Sequence, residues 1–200
     1  MIDKFAIVRE DLHRRYGHAF DAATIDRIVD EAIDENKDAK IADFVPVMVE
    51  RDASERLHEL AESGGKGANS RKEILYVCER NAGRSQLAAA LTHALAGEKV
   101  VYRSVGLHPT GGINPQVLQV LTERGIDHGF LYQKGIVPRV VHASDVVVLM
   151  GVDEVPGVPG QRTVKWDVED PEGKDIAVVR AIADQVEGKV RGLLAELGVS

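Results

Sequence analysis

Cys78 is the only cysteine in the 200-residue chain, so it can form no internal disulfide, and no zinc spacing can be built around it. After it come Glu79-Arg80-Asn81-Ala82-Gly83 and then Arg84-Ser85. The apolar run Ile74 to Val77 reads as a strand, and Gln86 to Leu95 repeats Leu87, Leu91 and Leu95 at helical spacing. The cysteine therefore ends a strand and Arg84 opens a helix, with an arch between them. Successive N–H groups of such an arch, here those of Glu79, Arg80, Asn81, Ala82, Gly83 and Arg84, converge with the helix N-terminus into a cradle for a tetrahedral oxyanion. The same field favours thiolate over thiol at Cys78, the candidate nucleophile. Arg84 can close on two oxygens of the anion as a planar fork. Ser85 can donate its hydroxyl to the sulfur and ease its departure as a leaving group. Asn81 tolerates left-handed backbone and can tie the loop with its amide. An isolated strand-end cysteine is more often a buried inert thiol. That reading leaves the arch glycine, the serine after the arginine and the strand-to-helix context without explanation.

These groups need a rigid frame. Beyond Ile74, strands alternate with helices: a strand at Val100 to Val105, then a helix opened by Asn114-Pro115 and closed by Gly125. Strands follow at Asp145 to Met150 and Thr163 to Val168. A long amphipathic helix carries Val179, Ile182, Val186, Val190, Leu193 and Leu197. The pattern predicts an α/β domain, a four-stranded parallel sheet with helices on both faces. Such sheets bind ligands at the carboxyl ends of their strands.

The N-terminal 62 residues read as three helices. Phe5, Val8, Leu12 and Tyr16 mark the first, and Ile25, Ile28, Val29, Ala32 and Ile33 mark the second, after an Asp21 N-cap. The third starts near Pro46 and carries Val47, Met48, Leu57 and Leu60. Glu62 to Ser70 is rich in small residues and has no apolar period. The expected division is a helical domain at 1–62, a linker at 63–72 and a catalytic domain at 73–200. Gly65-Lys66-Gly67 lacks the third glycine and the preceding strand of a nucleotide loop, and belongs to the linker.

The chain carries a formal charge of −7, and residues 1–62 hold sixteen acidic against nine basic side chains, which accounts for all of it. An acidic chain is a poor binder of the phosphate backbone, so nucleic acid is not an expected partner. No apolar run approaches the roughly 20 residues of a membrane span, and Met1-Ile2-Asp3-Lys4 opens no signal region, so a cytoplasmic location is expected. The histidines at 13, 18, 58, 93, 108, 128 and 142 show no ligand spacing, and no metal site is expected.

Ile74 to Cys78 through Arg84 to Ala88 resembles the low-molecular-weight protein tyrosine phosphatase superfamily, most of all its arsenate reductase branch. Val101 to Gly106, Ile113-Asn114-Pro115 and Ala143 to Gly151 resemble its second strand, following helix start and third strand. The similarity spans about residues 73 to 198. It implies that Asp170, in Trp166-Asp167-Val168-Glu169-Asp170-Pro171, is the acid facing the nucleophile, and that Ser104 supports the loop with Asn81. It also matches Trp166 to a tryptophan usual in the arsenate reductase branch. The N-terminal helices resemble an extension of some actinobacterial members, which implies a homodimer formed through residues 1–62. Ala89 stands where some members place a glutamate that contributes to a potassium site, so no structural cation is expected.

Phosphotyrosine-cleaving members follow the Asp-Pro pair with aromatic residues, whereas Glu172 and Gly173 follow it here. Thioredoxin-linked members carry two further cysteines after the third strand, where this chain has Met150-Gly151-Val152-Asp153-Glu154-Val155-Pro156. The expected activity is arsenate reduction by Cys78 with no bound cofactor, electrons coming from an external thiol such as mycothiol or a glutathione-like compound. A glutaredoxin-like protein is the expected resolving partner. The alternative is a phosphatase working through a cysteinyl-phosphate on the same residues.

Overall fold

β1 (Glu73–Cys78) is buried at all six positions and β3 (Val146–Met150) at all five. They are the two inner strands of a parallel sheet, which explains their near-continuous apolar sequences. The strand order is β2-β1-β3-β4, every pair parallel, with β2 (Val101–Gly106) and β4 (Thr163–Trp166) at the edges. Side chains alternate between the faces. Ile74, Tyr76 and Cys78 of β1 pack with α4 (Arg84–Ala96), α5 (Pro115–Glu123) and α7 (Ile176–Glu196). Leu75 and Val77 point the other way, where α6 (Pro138–Ala143) contributes Val141. This is the expected α/β architecture. The computed structural model describes residues 5–38, 45–63, 71–156 and 162–199. Of the expected linker, residues 64–70 lie outside them.

Asn114 caps α5 as expected, its Oδ1 accepting from the N–H groups of Gln116 at 2.8 Å and Val117 at 3.4 Å, with Pro115 in the first turn. β4 stops two residues short of the expected Val168. The carbonyls of Asp167 and Val168 accept from the side chains of Gln185 and Arg84 instead of continuing the ladder. At its end Trp166 packs on Tyr76, with ring centroids 5.8 Å apart.

Two compact units divide the chain, 1–71 and 72–200. The first holds α1 (Ala6–Tyr16), α2 (Ala22–Asn36) and α3 (Val45–Ser63). Asp21 caps α2, its carboxylate accepting from Thr24 N–H at 2.7 Å. The buried row of α3 differs from the expected one: Val45, Val49, Ala53, Leu57 and Ala61 face inward, whereas Val47 is 58% exposed and Leu60 40%. A row at every fourth residue recruits the two alanines and leaves the bulkier side chains outside. Among the described residues no helix is long and apolar enough to cross a membrane.

Candidate active site

Because β1 lies between β2 and β3, the chain leaves it in one direction and later returns on the other side. The carboxyl ends of β1 and β3 thus form the switch point where doubly wound sheets bind ligands. Cys78 ends β1, Met150-Gly151 ends β3, and the pairing of Val77 with Leu149 sets them side by side.

The arch after Cys78 is held from outside by its carbonyls. Those of Cys78 and Glu79 accept from the N–H groups of Leu107 and His108, at 3.1 and 2.8 Å. The Arg80 carbonyl accepts from Gln133 Nε2 at 2.9 Å and the Asn81 carbonyl from Gln86 Nε2 at 2.9 Å. Those of Ala82 and Gly83 accept from Asn114 and Leu87 N–H, both at 2.9 Å. A trans peptide sets its N–H opposite its C=O, and the described residues contain no cis bond. Six carbonyls turned outward therefore direct the N–H groups of residues 79 to 84 toward the concave side.

Asn81 is fully buried and adopts φ +50°, a conformation that asparagine tolerates better than most residues. Its Nδ2 donates to Ser85 Oγ at 2.8 Å, and its Oδ1 accepts from Gln86 Nε2 at 2.9 Å and Lys134 N–H at 2.8 Å. Ser85 Oγ lies 3.0 Å from Cys78 Sγ. With Asn81 already donating to that oxygen, the serine hydroxyl proton is free to point at the sulfur. Ser104 Oγ donates to Gln86 Oε1 at 3.2 Å, so its support of the loop passes through Gln86. Gly106 allows the arch to lie on β2: a Cβ there would sit 2.7 Å from Asn81 N and 2.9 Å from Glu79 O.

Arg84, 11% exposed at its side chain, donates from Nη2 to Asp170 Oδ2 at 3.0 Å and from Nη1 to the Val168 carbonyl at 3.4 Å. The guanidinium crosses the end of β3, where a Cβ on Gly151 would lie 2.0 Å from Nη1. Asp170 comes to the arch through its neighbour Pro171, whose Cγ would be 2.4 Å from a Cβ on Gly83. The two charged side chains of the arch turn to its rim, Glu79 to His108 Nδ1 at 2.6 Å and Arg80 to Glu172 at 3.1 Å. The Glu79 carboxylate beside the thiol is thereby engaged by an imidazole.

The structure thus gathers Cys78, Ser85, Asn81, Arg84, Asp170 and, one step removed, Ser104. It adds Gln86, Gln133, Lys134, His108, Asn114 and Gly151, which sequence reasoning left without a site role. Gln86 carried a usable signal, an amide directly preceding the apolar run Leu87 to Leu91 in the first turn of its helix, where the structure buries it fully. Gln133 and Lys134 lie fifty-three residues from the arch residues they bond and carried none. Burial, together with the nearby Arg103 charge, pushes the Lys134 amine down from its ordinary value.

Residues 73–200 match the family described as low molecular weight phosphotyrosine protein phosphatase, and residues 6–61 match the protein-tyrosine-phosphatase-like N-terminal domain. The chain belongs to the low molecular weight phosphotyrosine protein phosphatase family. Among its relatives, a glutaredoxin arsenate reductase of Synechocystis is 30% identical over 63% of this chain and 98% of its own length. The structure of a thioredoxin-dependent arsenate reductase of Corynebacterium glutamicum aligns over 97% of this chain and 96% of that one, with 35% identity and a TM-score of 0.58. An arsenate reductase solved in its phosphate-binding state aligns over 64% of this chain and 99% of its own, with 28% identity and a TM-score of 0.57.

Proposed function

We propose that the chain is an arsenate reductase in which Cys78 is the nucleophile and the N–H groups of residues 79–84, with Arg84, bind the oxyanion. The observation that carries this reading is the outward bonding of all six arch carbonyls, which leaves a row of inward N–H groups around a thiol at a helix N-terminus. The reaction class is supported by the relatives that are arsenate reductases.

In the proposed sequence, arsenate enters the cradle and the Cys78 thiolate bonds to arsenic as one arsenate hydroxyl takes up a proton from solvent and leaves as water. Arg84 and the N–H groups hold the remaining oxygens. A thiolate from outside then attacks the Cys78 sulfur. The S–As electron pair moves to arsenic, As(V) becomes As(III), and arsenite departs, leaving a mixed disulfide at Cys78. Ser85 hydrogen-bonds the Cys78 sulfur when it departs from that disulfide. A second external thiol attacks the disulfide and regenerates Cys78, so two external thiols supply the two electrons. With one cysteine in the chain, this resolution is intermolecular. A mycothiol- or glutathione-like compound and a glutaredoxin-like protein fit those two roles, and no bound cofactor enters any step. The reduced thiol pool this requires is that of the cytosol.

A second reading, phosphoester hydrolysis through a cysteinyl-phosphate, is favoured by the position of Asp170 beside Arg84, where a carboxylic acid could protonate a leaving alkoxide. Replacing Asp170 by asparagine separates the two. Loss of a general acid lowers p-nitrophenyl phosphate hydrolysis by about a hundredfold or more, while thiol-supported arsenate reduction, whose leaving group is water, falls less than about tenfold. An intact protein that hydrolyses the ester and yields no arsenite with any thiol would reverse the assignment.

The proposed role of residues 1–62 is to pair two copies, supported by the exposed apolar side chains Ile7, Val47 and Leu60. Sedimentation equilibrium should give twice the chain mass; a monomer at all micromolar concentrations would refute the pairing.

A further inference from the structure

We propose that Glu172 is a positioning residue, a latch that holds the Asp170 loop on the arch. The inference rests on the second reading above, in which Asp170 protonates the leaving alkoxide. Arg80 Nη2 of the arch and Asn114 Nδ2 of the α5 cap converge on one oxygen, Glu172 Oε2, at 3.1 and 3.3 Å. Asn114 in turn donates its own N–H to the arch at Ala82, so both donors belong to the frame of the cradle. Glu172 also donates its N–H to Asp170 Oδ1 at 3.1 Å. The side chain thus grips the frame while the backbone of the same residue orients the acid.

The latch has a second effect. It draws the Arg80 guanidinium to the rim, leaving Arg84 as the guanidinium poised over the anion and Arg80 contributing its N–H alone. Glu172 is 55% and Arg80 34% exposed at the side chain, so solvent screening keeps the effect moderate. Pro171 on Gly83 is a packing contact that persists without the carboxylate.

The test uses the full chain with Glu172→Ala and Glu172→Gln, neither of which removes the N–H to Asp170. Cys78 alkylation by iodoacetamide and by a bulky maleimide is timed with and without inorganic phosphate, and p-nitrophenyl phosphate hydrolysis is resolved into kcat and KM. With the latch gone, Glu172→Ala should raise the maleimide-to-iodoacetamide rate ratio about threefold or more and lower kcat about three- to tenfold, with phosphate protection unchanged. Glu172→Gln, which keeps an acceptor oxygen, should recover the ratio to within about twofold of the parent. In an Asp170→Asn background, Glu172→Ala should cost no further kcat, because its action runs through Asp170. An unchanged alkylation ratio, an equal kcat loss in the Asp170→Asn background, or a parallel loss of phosphate protection would each overturn the proposal. If the parent turns over neither substrate, the reading of the reaction fails. The alkylation ratio and its recovery in Glu172→Gln still decide the latch.

Discussion

Replacing Cys78 by serine is expected to remove arsenate reduction and ester hydrolysis together, by about four orders of magnitude or more, while phosphate still binds. The loss is one of chemistry rather than shape. Cys78 is 2% exposed at the end of a strand buried along its length, and a hydroxyl fits where the thiol sat. The hydrogen bond with Ser85 survives the exchange. A serine hydroxyl, however, is a far weaker nucleophile than a cysteine sulfur, and it cannot enter a mixed disulfide. In the proposed scheme the anion is held by N–H groups whose orientation depends on six carbonyl bonds, none of which involves the Cys78 side chain. Calorimetry with inorganic phosphate should therefore give a dissociation constant within about tenfold of the parent. Residual turnover above about one per cent would show that sulfur is not the nucleophile, and lost phosphate binding would show that the thiol belongs to the cradle itself.

Gly151→Ala is expected to lower kcat/KM by about a hundredfold in either assay, although residue 151 touches no anion in the scheme. Its Cβ would fall 2.0 Å from Arg84 Nη1, 2.6 Å from Cζ and 2.8 Å from Nη2. No small adjustment of a planar group relieves three such contacts, so the guanidinium must leave the end of β3. It then loses Asp170 and the Val168 carbonyl and, with them, the alignment for a two-oxygen grip. The φ of +70° at Gly151 adds a backbone cost of about 1–2 kcal/mol in an alanine variant. Thermal unfolding separates this cost from the loss of activity. Arg84→Ala should lower kcat/KM to a similar degree, and Gly151→Ala should cost little more in the Arg84→Ala background, because both act through one side chain. A double variant as low as the product of the two single losses would place Gly151 in some other role.

What was legible in the chain and what was not follows from sequence separation. The arch from Cys78 to Ser85 is contiguous, and its strand, glycine and helix signals fall within the twenty-two residues from Ile74 to Leu95. The caps Asp21 and Asn114 act two or three residues ahead of themselves. Gly151 is different: it reads as a turn residue, and its purpose lies in a guanidinium sixty-seven positions earlier. The partnership of Glu79 with His108 needs the end of β2 to be folded beside the arch before it can be seen. α6 is six residues long with a single buried side chain, too short to show a period. The inward row of α3 was obscured by its alanines, whose apolar character is weak beside that of the exposed Val47 and Leu60.

The arch borrows its shape from distant parts of the chain. Its carbonyls are fastened by Leu107 and His108 after β2, Asn114 at the start of α5, and Gln133 on the strand-like segment beyond it. A nascent chain that has emerged only as far as α4 holds the complete set of residues 78 to 85 and none of these fastenings. Its single cysteine then lacks the cradle proposed around it. On the proposed reading, reactivity is a cooperative property that depends on assembly of the whole catalytic unit and weakens with local openings that free a fastening, so the chemistry of this thiol is coupled to the completeness of the fold.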